Sequence, residues 1–154
     1  MEVAAQYMKT YGSNTDAEYP YLSGATGLPG TCNQNGMSTL NLLTGTGSTE
    51  ISNTKAALTQ ALLRQPVIVG FAVSDSFYYY RSGVYNPTDC NPNYVNHAMQ
   101  AIGFGTLGGL PYVLIRNQWS TSWGDNGLMY VYMSNTQGGT CGVYNYNLEV
   151  TVGF

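Results

Sequence analysis

Charge is what this sequence has least of. Asp, Glu, Lys and Arg together make up 8% of its 154 residues, against about 25% in an average soluble domain. The five basic residues, Lys9, Lys55, Arg64, Arg81 and Arg116, are scattered, and the net charge is -3. Binding to nucleic acid needs clustered cations that displace counterions from phosphates, so that class of partner is excluded. No apolar run is long enough to cross a bilayer. No Cys-x-x-Cys pair occurs and there is a single histidine, which removes a structural zinc site. Asn-x-Ser/Thr acceptor sites are missing too, because Pro87 interrupts the match at Asn86. No metal or cofactor is expected.

Hydrophobic residues make up 44% of the chain, enough for one ordinary domain with a core. Asn, Ser, Thr, Gly and Tyr carry the polarity. The opening MEVAAQYMKTYG reads as an amphipathic helix, with Val3, Tyr7 and Tyr11 on one face and Gly12 as its C-cap. Nothing precedes Met1 to cap that helix, so the chain is expected to begin mid-domain. The segment from about Gly12 to Ser52 is rich in turn formers and reads as loop. SNTKAALTQALLRQP reads as a short helix capped by Ser52 or Asn53, burying Leu58, Ala61 and Leu62, and ended by Pro66. VIVGFAV is suited to a buried strand. The last third reads as β hairpins: HAMQAIGFG and LPYVLIRNQW joined by a glycine-rich turn, then LMYVYM, then CGVYNYNLEVTV.

Three features carry chemistry or imitate it. GFGTLG, Gly103–Gly108, matches a dinucleotide pattern, but a strand follows it where a helix N-terminus is needed. The acidic residues sit mostly in loop-like segments, and nothing singles out a carboxylate pair. His97 is different. Asn117 ends the strand that follows it across a tight turn, so both side chains can share one face. The Asn oxygen then accepts the imidazole N–H, fixes the tautomer and leaves the other nitrogen free to meet a thiol. Trp119 is placed to shield that bond from water.

Several short stretches, in this order along the chain, resemble the C-terminal half of papain-like cysteine peptidases. They are YPY at Tyr19–Tyr21, QPV at Gln65–Val67, YRSGVY at Tyr80–Tyr85 and NHA at Asn96–Ala98. NQW at Asn117–Trp119, SWGDNG at Ser122–Gly127 and CG at Cys141–Gly142 complete the set. The resemblance implies an α+β fold, most of it an antiparallel, barrel-like β domain with short helices. Residues 1–20 would form the edge of an incomplete helical domain and 21–154 the β-rich one. It also implies His97 and Asn117 as catalytic base and orienter, Trp119 as their aromatic shield, and a disulfide between Cys90 and Cys141. Gly70, Ala98 and Tyr146 would line the main specificity pocket, where a bulky tyrosine favours apolar substrate side chains.

The family's nucleophile lies in a C-G-S/A-C-W type segment that this sequence does not contain. None of Cys32, Cys90 and Cys141 has that context. The chain alone is therefore expected to be inactive, with the thiol supplied by an N-terminal fragment or a second chain, held through Cys32, whose family partner lies in that region. Peptides or proteins would be the substrate, and disulfides point to a secretory, lysosomal or extracellular setting. Gln118 and Ser120 depart from the family's usual Ser and Gly. They leave open the alternative of a non-catalytic papain-like protein with a binding or structural role in an assembly.

Overall fold

The computed structural model describes residues 1–32 and 44–153. In order, the elements are α1 (Glu2–Tyr11), α2 (Leu22–Thr26), β1 (Thr44–Ile51), α3 (Lys55–Leu62), β2 (Val67–Phe71) and α4 (Asp75–Tyr78). They continue with β3 (Val84–Tyr85), β4 (His97–Leu107), β5 (Leu110–Arg116), β6 (Leu128–Tyr132), a 3-10 turn at Thr140–Gly142, and β7 (Asn147–Gly153). The class is α+β, as expected. The strands form one seven-stranded sheet in the order β1-β7-β2-β4-β5-β6-β3. Its outer strands, β1 and β3, are not paired to each other, so the barrel-like expectation is corrected to an open sheet. β3 is two residues long and runs parallel to β6, too short to wrap round.

The chain divides into two compact units, one made of Thr49–Glu149 with Met1, the other of Glu2–Ser48 with Val150–Phe154. In the first unit the core follows from alternation. Val67, Val69 and Phe71 on β2, Met99 and Ala101 on β4, Val113 and Ile115 on β5, and Met129 and Val131 on β6 all point to one buried face. Helix α3 lays Leu58 and Ala61 on it. The cap of α3 is Thr54, whose hydroxyl accepts from the Ala57 amide, not Ser52 or Asn53; the helix starts one residue later than the sequence signal. Gly108 and Gly109, at φ 57° and 81°, make the two-residue turn between β4 and β5 that only glycine takes cheaply.

The second unit bears out one expectation, the opening helix, and corrects another. On α1 the buried residue is Ala5, while Val3 is 85%, Tyr7 44% and Tyr11 54% exposed. The apolar stripe is there, but no described element of this unit covers it; α1 packs on β1 by its other side, where a Cβ on Gly45 would lie 3.2 Å from the Lys9 amide nitrogen. The stretch read as loop from Gly12 to Ser52 contains α2 and β1, the latter hidden because its Thr, Gly and Ser residues show no apolar alternation. The part of that reading that falls on 33–43 lies outside the described residues.

One carboxylate fixes the short helix α4. Asp89 accepts hydrogen bonds from the Ser76 amide (3.0 Å), the Ser76 hydroxyl (2.7 Å) and the Ser74 hydroxyl (3.0 Å). It acts as an N-cap supplied from a distant loop. The Ser76 hydroxyl, then the Ser76 amide, hold its carboxyl below the usual aspartate range. The ionised form makes these bonds, so their stability is present above the unfolded-state value near about pH 4 and is lost as pH falls through the lower folded value. Asp89→Ala should cost about 1 kcal/mol at pH 6–7. In urea unfolding the gap to the parent should close towards about pH 3; a pH-independent gap would assign the loss to packing instead.

Candidate active site

His97 opens β4, and its position is set by the residue before it. The Asn96 amide donates to the Phe71 carbonyl at 3.1 Å. The Asn96 side chain then accepts from the Val73 amide at 2.8 Å and donates to the Val73 carbonyl at 3.2 Å. A carboxamide has the donor and acceptor of a peptide group, so Asn96 prolongs the β2–β4 ladder past its last pair, Phe71 with His97. Alternation then turns the imidazole to the face that buries Met99 and Ala101.

Asn117 follows β5 on the same face as the buried Val113 and Ile115. Its amide donates to the Gly127 carbonyl at 3.0 Å, which closes the Ser122–Gly127 loop beneath it. The β4–β5 register pairs Gln100 with Arg116; carried past the ladder, it sets Asn117 diagonally across from His97, within reach of a long side chain. His97 Nε2 lies 3.0 Å from Asn117 Oδ1. The Gln118 amide donates to the same atom at 2.9 Å. Two donors converging on one atom identify it as the oxygen. An amide oxygen only accepts, so the neutral ring carries its proton on Nε2 and keeps the lone pair on Nδ1.

Aromatic rings enclose the pair. Trp119 lies 5.2 Å from the imidazole, and Phe77 meets it edge-on at 6.0 Å. Tyr78 stacks on Trp119 at 5.3 Å and 16°, while Trp123 packs on Phe77 at 4.8 Å and bonds its carbonyl through the indole N–H. Asn117 is 5% exposed. A hydrogen bond sealed from water in this way is electrostatically stronger than an exposed one. Phe77 and Tyr78 belong to α4, the helix that Asp89 caps, so a surface carboxylate braces the shield. Asn96, Asp89, Phe77 and Tyr78 were not singled out from the sequence. Asn96 stands inside the NHA motif, and its place next to the histidine was the signal available.

The pocket residues expected from the sequence are neighbours. Gly70 pairs with Ala98 across β2 and β4, and a Cβ on Gly70 would lie 2.9 Å from Val95 Cγ1, 3.0 Å from the Asn145 carbonyl oxygen and 3.4 Å from Tyr146 Cβ. Tyr146, at φ 56°, is 62% exposed, so its ring stands open to solvent. Cys90 and Cys141 form a disulfide that spans 51 residues. The Cys141 carbonyl accepts from the Ala72 amide at 2.8 Å, which ties the bridge to the end of β2. Cys32 is an exposed free thiol in the other unit.

This constellation offers a proton-accepting nitrogen beside aromatic rings, a base to which a thiol placed against it can give its proton. The sequence pattern of papain family cysteine proteases matches residues 1–151. The chain belongs to that family. A cathepsin L-like proteinase of Fasciola hepatica is 38% identical over 149 residues, 93% of this chain and 42% of the relative. Digestive cysteine proteinase 2 of Homarus americanus is 36% identical over 93% of this chain and 43% of its own length. The structure of bromelain from Ananas comosus in complex with the E64 inhibitor superposes with a TM-score of 0.86 at 29% identity, over 97% of this chain and 68% of the bromelain chain. The chain therefore spans less than half of these two curated relatives.

Four non-glycine residues, Ser120, Asn126, Cys141 and Tyr146, take left-handed backbone among the described residues. Ser120, where the resemblance leads one to expect glycine, sits at φ 66°. A left-handed conformation costs a non-glycine residue about 1–2 kcal/mol. Part is offset by the Ser120 hydroxyl, which lies 2.7 Å from the Ser122 hydroxyl and accepts from the Ser122 amide at 3.3 Å. Ser120→Gly should raise stability by about 1 kcal/mol in urea unfolding. A loss of stability would mean that the hydroxyl bonds outweigh the strain.

Proposed function

We propose that this chain carries the base-and-orienter half of a cysteine-type endopeptidase site. His97 is the base and Asn117 its orienter; the thiol comes from a segment outside these 154 residues or from a second chain. The observation that carries the reading is the 3.0 Å bond between His97 Nε2 and Asn117 Oδ1, with Nδ1 left as the acceptor. A thiol placed against Nδ1 transfers its proton there, and the imidazolium stabilises the thiolate. The thiolate attacks a peptide carbonyl carbon, and the imidazolium returns the proton to the leaving amine. Water then releases the acyl group, with His97 again as base. Asn117 orients the ring throughout without adding a charge.

On this reading residues 1–20 are the edge of the family's helical domain and 21–154 its β-rich domain. Gly70, Ala98 and Tyr146 contact the substrate side chain that sets specificity. Cys32 is available to bond the thiol-bearing segment covalently. The disulfide supports a secretory, lysosomal or extracellular setting. A second reading, a non-catalytic binding member of the family, is favoured by the strain at Ser120 and by the exposed rings of Tyr79, Tyr94 and Tyr146.

The two readings separate on capture. The native source, reduced and mildly acidic, is treated with a peptide epoxide that alkylates thiolates, and the chain is isolated with whatever accompanies it. A labelled cysteine in an accompanying polypeptide or in an extension of this chain is expected, and His97→Ala should lower the labelling rate by about 100-fold or more. No label, or equal labelling with and without His97, would overturn the peptidase reading.

A further inference from the structure

The loop that closes beneath Asn117 ends in a reactive peptide. The sequence has two Asn-Gly pairs, Asn35–Gly36 and Asn126–Gly127; the first lies outside the described residues, and the second forms the centre of a tight turn. The Asp125 amide donates to the Leu128 carbonyl and the Leu128 amide to the Asp125 carbonyl, both at 3.0 Å. Asn126 and Gly127 sit at φ 54° and 84°, the left-handed pair that such a turn needs and that Asn-Gly adopts readily. The glycine is required, since a Cβ on Gly127 would lie 3.2 Å from the Ser120 carbonyl oxygen. An asparagine side chain followed by glycine is open to attack by the next amide nitrogen, because no Cβ screens that nitrogen. The attack needs the nitrogen to shed its proton to base. Here the proton is held: the Gly127 amide donates to the Trp123 carbonyl at 2.8 Å, and Gly127 is buried while Asn126 is exposed.

We propose that Asn126 is a site of spontaneous deamidation, held latent by the closed loop and coupled to Asn117. When the loop opens, the Gly127 nitrogen gives its proton to base and attacks the Asn126 side-chain carbonyl carbon. The bond from that carbon to Nδ2 breaks, and ammonia leaves with a proton drawn from water. Water then opens the resulting five-membered imide at one of its two carbonyls. Opening at the side-chain carbonyl gives aspartate with the main chain restored. Opening at the main-chain carbonyl gives isoaspartate, in which the chain runs through the former side chain and is one backbone atom longer. A longer turn cannot keep both Asp125–Leu128 bonds, and it draws the Gly127 carbonyl away from the Asn117 amide, which donates to it at 3.0 Å. Aspartate adds a charge and leaves that bond in place. The covalent change and its effect on Asn117 stand without the function proposed above; only a resulting loss of proteolysis rests on it.

The test ages this chain and the capped peptide Asp-Asn-Gly-Leu side by side in warm, mildly alkaline buffer. Peptide mapping follows the amide-to-acid mass gain at Asn126, and an isoaspartate methyltransferase tells the two products apart. Conversion is expected in both, slower in the chain by about tenfold or more, because the loop's hydrogen bonds must first break. Hydrogen exchange of the Gly127 amide should be slowed by a similar factor, and urea below the unfolding transition should raise both rates together. In the purified isoaspartate fraction the Asn117 amide should exchange faster than in the parent by about tenfold or more, whereas Asn126→Asp should leave it unchanged. Conversion as fast as in the peptide would overturn the guard. Absence of conversion while the Gly127 amide exchanges would overturn the site. An isoaspartate chain in which the Asn117 amide stays as protected as in the parent, or one that circular dichroism shows to be unfolded throughout, would overturn the coupling. Because no thiolate takes part, these outcomes are independent of the labelling experiment: either proposal can fail while the other stands.

Discussion

The bond between His97 and Asn117 is the contact on which the site turns. A free imidazole can carry its proton on either nitrogen and rotate about two side-chain bonds. The amide oxygen of Asn117 removes both freedoms at once. It selects the Nε2–H form and aims Nδ1 in one direction. The oxygen is itself pinned by the Gln118 amide, so the orienter is oriented. A carboxylate at this place would bond the ring more strongly but would add a negative charge, favouring the imidazolium with or without a thiolate. A neutral amide orients the ring without adding a charge.

Much of the surrounding structure serves to hold that pair where water is scarce. The hairpin of β4 and β5 fixes the separation. Asn96 extends the ladder by imitating a peptide group, so the histidine sits at an end that cannot fray. Asp89 caps α4, α4 supplies Phe77 and Tyr78, and these pack against Trp119 and Trp123. The disulfide anchors the end of β2, two strands away from Asn117 in the sheet order. Loss of any of these braces leaves the residues of the pair unchanged and alters only their angle and exposure, which is why supporting positions far from the ring matter to it.

The site was more legible in the sequence than the fold around it. His97 and Asn117 flank a hairpin turned by two glycines, but strict alternation from that turn would set Asn117 opposite Gln100; the register shift between Ala101 and Gly103 brings it to the face of His97, and no signal in the sequence marks that bulge. Gly70, Ala98 and Tyr146 came from resemblance, and the structure makes them neighbours without closing Tyr146 into a wall. β1 was missed because threonine, glycine and serine give no apolar alternation; its strand form comes from pairing within the sheet. The stripe of Val3, Tyr7 and Tyr11 was legible as one face of a helix, but periodicity reports which residues share a face and not what lies against it. The cap of α3 slipped from Ser52 or Asn53 to Thr54, since several capping residues stand in a row and only backbone geometry chooses among them.

The most direct measurement is the long-range 15N–1H correlation spectrum of the His97 ring in this chain, recorded where the imidazole is neutral. One-bond coupling to a proton on Nε2, and an Nδ1 shift typical of an unprotonated nitrogen, are the predicted result. Replacement of Asn117 by Ala should mix the two forms. A proton found on Nδ1, or a mixed spectrum in the unaltered chain, would contradict the account.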